Sequence, residues 1–189
     1  MVDSLYMGTS MSSSELSSSS ERMTNFSSFF VIYLAGITLI HVLKMILSID
    51  IGIRNLGYAK WDNGILDFGV IDLHDYYKGT DYPRMIKKLV ETGFFKGADT
   101  ILVENQMSSR MKLLACAIRC FFWDKTRMIA PQSVKRHFSS GTKKHSTNKK
   151  KAKEIVLQFL DGHHDKFMRL KKKDDVADAV LQLMYFINR

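Results

Sequence analysis

The stretch "MILSIDIG", Met45 to Gly52, is an unbroken apolar strand carrying one carboxylate, Asp50. A strand without polar alternation is buried on both faces, which places it in the middle of a sheet covered from either side. A carboxylate in that setting is costly unless it is paired. A second run, "DTILVENQ" (99–106), repeats the pattern and ends its apolar part in Glu104. One such acid reads as a satisfied structural group. Two of them on strands of the same kind call for a common partner.

The segments between these strands limit the architecture further. "NLGYAKW" and "ILDFGVI" flank Asp62-Asn63-Gly64, a strong hairpin signal, so the first three strands form an antiparallel meander. Residues 82–95 read as a helix with Pro83 in its first turn and Ile86, Leu89, Val90 and Phe94 along one face. After the fourth strand, "SSRMKLLACAIRCFFW" is an amphipathic helix and "TRMIAP" a fifth short strand closed by Pro131. "QSVKRHF" and a basic loop lead to the helix "NKKKAKEIVLQFL". A final helix turns Val176, Ala179, Val180, Leu183 and Ile187 inward. Three strands, helix, strand, helix, strand and helices is the order of an α/β ribonuclease H-like fold, a five-stranded mixed sheet flanked by helices. In that order the first and fourth strands lie side by side, and Asp50 and Glu104 project to the same edge.

Residues 1–44 stand outside this pattern and form an extension to a domain spanning 45–189. "TSMSSSELSSSSERMTNFSS" is low-complexity serine that cannot bury enough apolar area to order itself. From Phe29 to Val42 the chain is apolar, broken by His41 and ended at Lys44. It is either an appended hydrophobic segment or a short membrane contact, and a span needs about 20 apolar residues. No n-region charge cluster or small-residue cleavage site marks a signal peptide. Met45 is itself a potential initiator.

The formal charge of +9 is concentrated. Between Ser133 and Lys153 lie Lys135, Arg136, Lys143, Lys144, Lys149, Lys150, Lys151 and Lys153, with no acid among them. Such a segment implies a polyanionic partner, nucleic acid or an anionic membrane surface. Cys116 and Cys120, one helical turn apart, make a poor disulfide and an incomplete zinc site, and read as reduced thiols. His145 and the pair His163–His164 have no partner at zinc spacing and read as surface residues.

"KKKDDVADAV" opens the last helix with Asp174, Asp175 and Asp178. Acids at a helix start suit capping and the macrodipole, and Asp174 reads as a cap or as an outer-shell partner of the acids that follow. Asp175 and Asp178, at i and i+3, share a face and can converge on a cation. With Asp50 and Glu104 they make four carboxylates that repel one another unless cations neutralise them. Oxygen-only ligands select Mg²⁺, with Mn²⁺ able to substitute. Two such ions about 4 Å apart stabilise the attacking and leaving oxygens of phosphodiester hydrolysis. Gly52, beside the first acid, permits close approach of a neighbouring backbone or a phosphate.

"IDIGIRNLGYA", "LVENQ" and "KKDDVADAV", in this order and element context, resemble the RuvC-type Holliday junction resolvases, most closely their poxvirus (fowlpox-like) branch. "APQSVKRHFSSGTKKHSTNKKKAKEIV" is similar to the junction-contacting region of that family. The resemblance covers Met45 to the C-terminus. It implies that Asp50, Glu104, Asp175 and Asp178 are the metal-binding catalytic acids. It also implies that Lys135, Arg136, Lys143, Lys144, Lys149, Lys150 and Lys151 contact DNA. It further implies a homodimer that nicks a four-way junction in pairs, leaving 5′-phosphates. The task would be to convert concatemeric viral replication intermediates into unit genomes in the host cytoplasm or its replication factories, with packaging in the virion a further location. The same acids would also serve a nuclease acting on RNA–DNA hybrids, and the basic surface alone would serve a junction-binding protein without catalysis.

Overall fold

Strand β3 (Ile46–Ile51) runs through the centre of the sheet, as its unbroken apolar sequence requires. The computed structural model describes residues 45–138, 145–160 and 162–189, together with β1 (Tyr33–Leu34) and β2 (Ile37–Thr38), which pair antiparallel. The rest of the Phe29–Val42 run lies outside the described residues, and no helix among those described is long and apolar enough to cross a membrane.

Strand β3 pairs antiparallel with β4 (Asn55–Trp61), which pairs antiparallel with β5 (Ile65–Asp72). The β4–β5 turn holds Asn63 at φ 56°, a left-handed conformation that Asn tolerates better than most residues. On its other side β3 runs parallel to β6 (Thr100–Glu104), and β6 parallel to β7 (Thr126–Ile129). The sheet order is β5-β4-β3-β6-β7, so the expected meander and the adjacency of the first and fourth core strands both hold.

Alternation along the strands sorts side chains between two helical layers. Leu47, Ile49 and Ile51 of β3, with Ile101 and Val103 of β6, pack against α1 (Tyr82–Glu91) and α2 (Ser109–Phe121). Helix α1 starts where Asp81 accepts a hydrogen bond from the Arg84 amide at 3.1 Å, with Pro83 in the first turn. The opposite face carries Ile46 and Leu102. It is covered by α3 (Pro131–His137), α4 (His145–Leu157), α5 (His164–Arg169) and α6 (Lys173–Ile187). By the same alternation Ser48, Asp50 and Glu104 fall on this second face.

Four expectations need correction. Helix α4 begins at His145, before the Asn148 where its apolar pattern becomes readable. Helices α3 and α5 carried no periodic signal, because each is short and buries few of its own side chains; in α5 the anchor is Phe167, seated against Phe68. Helix α6 is buried on more than one stripe: Ala177, Leu181 and Met184 join the expected set, while Ile187 is only half-buried. It is wedged between the sheet and α3 and α4, so both flanks lose solvent. Lastly, Asp174 does not cap α6: the N-cap is Lys172, and no side chain caps the helix.

Candidate active site

Asp50 and Glu104 stand next to each other because β3 and β6 run parallel and in step, with Ile49 level with Val103. The two carboxyl groups act on one another, and Glu104 disfavours charge on Asp50. Gln106, two residues beyond Glu104 and buried, donates to Glu104 Oε2 at 3.0 Å and fixes that side chain.

Helix α6 runs across β3 in the opposite sense and brings Asp178 to the same place. One turn further along, the buried Gln182 donates through Nε2 to Ser48 Oγ at 3.0 Å and to the Ile49 carbonyl at 3.3 Å. Ser48 lies two residues before Asp50 on the same face of β3. The Gln182–Ser48 latch therefore sets where along the strand Asp178 meets Asp50. The approach also depends on Gly57, which lies opposite Asp50 in the β3–β4 register and against the backbone of Asp175.

Asp50, Glu104 and Asp178 border one cavity of about 130 Å³, with Lys135 and Val134 of α3 and Asn148, Lys149 and Ala152 of α4 among its walls. Asp175 lies to one side. It borders a neighbouring lysine-rich pocket shared with Lys149, Lys153, Lys171, Lys172, Lys173 and Asp174. Its charge still reaches Asp50. The structure thus gathers three of the four expected acids into one cavity and sets the fourth in the neighbouring lysine-rich pocket.

The electrostatics follow from this crowding. Burial, reinforced by Asp178, Glu104 and Asp175, pushes the Asp50 carboxyl up to about 8. Asp178 keeps contact with solvent through the cavity mouth. Even so, the surrounding walls strip enough hydration, with Glu104 adding repulsion, to raise it to about 6, while Lys135 pulls the other way. Asp175 is also raised, first by burial. Asp174 is the exception: ion pairs with Lys149 (2.8 Å) and Lys153 (2.6 Å) hold it below the usual carboxylate range.

Of the expected DNA contacts, Lys135 and Lys149 line the acid cavity. Arg136 is exposed on α3, and Lys150 on α4 is exposed and 3.9 Å from Glu154. Lys151 is on α4 as well, whereas Lys143 and Lys144 lie outside the described residues. Gly52 serves its neighbouring backbone: its amide donates to the Asn55 carbonyl at 2.9 Å, and a Cβ there would stand 2.5 Å from that oxygen. Sequence reasoning passed over Ser48, Gln182 and Gly57 as parts of the site. A signal existed for Gln182, an amide set between Leu181 and Leu183 in a buried helix; Ser48 and Gly57 carried none.

No curated protein sequence matches the chain. Among solved structures it is similar to the fowlpox virus Holliday junction resolvase, with 20% identity, a TM-score of 0.57, and coverage of 76% of this chain and 97% of that one. A complex of fowlpox virus resolvase with substrate Holliday junction DNA matches at 21% identity and TM-score 0.55, over the same 76% and 97%. The yeast mitochondrial Holliday junction resolvase Ydc2 matches at 19% identity and TM-score 0.56, covering 75% of this chain and 79% of that one. The strand order and helical layers described above are the fold these proteins share. The model of the poxvirus A22 protein family matches residues 44–189, and the chain belongs to that family.

Proposed function

We propose that the protein is a metal-dependent endonuclease that resolves four-way DNA junctions by paired nicks, with Asp50, Glu104, Asp175 and Asp178 as its catalytic acids. One observation carries this reading: Asp50, Glu104 and Asp178 converge from two parallel strands and a helix into one cavity bordered by Lys135 and Lys149. A structural core has no use for that arrangement, since three carboxyls crowded together oppose folding unless something compensates them. Membership of the poxvirus A22 family, and the likeness to a fowlpox resolvase solved with junction DNA, support the same substrate class.

The residues fit divalent cations. The donors are all carboxylate oxygens, the set that suits Mg²⁺ or Mn²⁺. Among the described residues no three metal-ligating side chains already stand together as a binding group. Burial and the neighbouring acids raise the Asp50 carboxyl to about 8, so it must lose its proton before it can act as a ligand. When bound, the ions would activate water and neutralise charge on the attacking and leaving oxygens. The chain's own contribution is placement. Gln106 orients Glu104, and the Gln182–Ser48 latch sets Asp178 against Asp50. Lys135 and Lys149 at the rim favour a phosphate, and Arg136, Lys150 and Lys151, with Lys143 and Lys144 nearby in sequence, extend the basic surface along the DNA.

Paired nicking needs two sites, and we include a homodimer in the proposal. Trp123, 76% exposed, and Leu113, 55% exposed, offer apolar area around α2 that a partner would cover. Work on replicating viral DNA in the host cytoplasm is part of the same proposal.

The test is cleavage of a synthetic four-way junction, with and without Mg²⁺, by wild type and Asp50→Asn, beside a matched RNA–DNA hybrid. Symmetric nicks in the junction that require the ion, lost in Asp50→Asn while junction binding persists, are expected. Cleavage undiminished by Asp50→Asn would reject the assignment, and preferential cutting of the hybrid would move the substrate class to RNA.

A further inference from the structure

We infer that Asp174 is a positioning residue that keeps the lysines of α4 away from the metal-binding acids. This rests on the reading of Asp50, Glu104 and Asp178 as a cation site. Lys149 stands where two cavities meet: it borders the acid cavity with Asp50, Glu104 and Asp178, and also the lysine-rich pocket with Asp174 and Asp175. A lysine there has several carboxylates to choose from. It takes Asp174, at 2.8 Å, although Asp178 and Asp175 are near enough to act on its charge. The same Asp174 carboxylate also takes Lys153 at 2.6 Å.

The physical consequence is a competition. An ammonium group on a flexible four-carbon stem is a ready counter-ion for any carboxylate within reach. If Lys149 swung onto Asp178 or Asp50, it would neutralise a ligand and occupy the space a divalent ion needs. Asp174 removes that option by offering a nearer partner outside the cavity. It is only partly exposed, at 31% of its side chain, so its ion pairs are less screened than those at an open surface. It sits in the first turn of α6, one residue before Asp175, while Lys149 and Lys153 occupy successive turns of α4. The pairs therefore join the two helices that carry the cavity's walls. Lys135 also borders the cavity, from α3, and acts on Asp178. It is a second ammonium at the acids, one that Asp174 does not hold.

The observation that separates this role from a purely structural one is coupling between Asp174 and Lys149 in metal binding. The experiment is calorimetric titration of Mn²⁺ into the full chain for wild type, Asp174→Asn, Lys149→Gln and the double variant, with a thermal melt of each. Asp174→Asn should weaken Mn²⁺ binding on the order of tenfold, and Lys149→Gln should restore most of the loss in that background. Asp174→Glu, which keeps a carboxylate for the two lysines, should bind Mn²⁺ as wild type does. It also supplies the comparison if the Asn variant melts too low to titrate.

If Lys149→Gln has the same effect with and without Asp174, the lysine is a background charge and the inference fails. It also fails if Asp174→Asn lowers the melting temperature but leaves Mn²⁺ affinity unchanged, which makes the residue a helix clamp alone. Absence of Mn²⁺ binding in the wild type would reject the underlying cation-site reading, a result distinct from either of these.

Discussion

Gly57 lies opposite Asp50 in the β3–β4 register, and a methyl group on Gly57 would run into the backbone of Asp175. One position thus controls how closely the head of α6 sits on the strand that carries the first acid. Gly57→Ala should push the helix off the sheet. The expected cost is about 1–3 kcal/mol of stability, as for other overpacked core positions, together with a loss of junction cleavage larger than the loss of junction binding. A melting curve and a cleavage time course check this. Full activity in Gly57→Ala would mean that α6 has slack at this point.

The Gln182–Ser48 hydrogen bond makes a second prediction. Gln182→Leu keeps the bulk but strands the Ser48 hydroxyl, and should cost about 1–3 kcal/mol. Adding Ser48→Ala removes the stranded group as well and should recover part of the loss in a double-mutant cycle. Additive losses in chemical denaturation would show that the two side chains are not coupled.

Gln106 holds Glu104 by a hydrogen bond from its side-chain amide. Gln106→Leu should leave the fold intact, lower the cleavage rate on the order of tenfold, and raise the Mg²⁺ concentration needed for half-maximal rate, as loss of an outer-shell partner does elsewhere. An unchanged Mg²⁺ requirement would assign Gln106 to packing.

Stability should depend on pH in an unusual direction. Asp50 sits at about 8 in the fold against an ordinary 3.8, and Asp178 at about 6. An acid with a raised pKa keeps, when folded, a proton that the unfolded chain has released. Between the ordinary and raised values, therefore, raising pH removes stability. Metal-free protein should melt lower at about pH 8 than at about pH 5, and Asp50→Asn should flatten that slope. Asp67, Asp72 and Asp174, whose pKa values are lowered, lose their contribution only in more acidic solution, outside this window. Added Mg²⁺ should raise the melting temperature more at the higher pH, where the acids are free to bind it. A slope that Asp50→Asn leaves unchanged would place its origin elsewhere.

Much of the architecture is legible in the linear chain because it is written in local patterns. Unbroken apolar runs make β3 and β6 buried strands, Asp62-Asn63-Gly64 turns β4 into β5, and Pro83 starts α1. The odd placement of Asp50 and Glu104 is visible for the same reason, since a carboxylate stands out against Ile, Leu and Val. Helices α3 and α5 escape notice because a helix of 7 or 6 residues has too few turns to display a period.

The sequence by itself determined which side chains carry acid and which segments form the central strands, because burial leaves its mark in composition and periodicity. Tertiary structure alone decided how those acids divide. Asp178 turns into the cavity with Asp50 and Glu104, Asp175 borders the lysine pocket, and Asp174 gives up capping to pair with Lys149 and Lys153. Three acids within five residues are alike to any local rule. Their roles separate only once α4 brings its lysines alongside and Gly57 and Ser48 fix the position of α6 on the sheet, and these are contacts between residues about 21 to 134 positions apart.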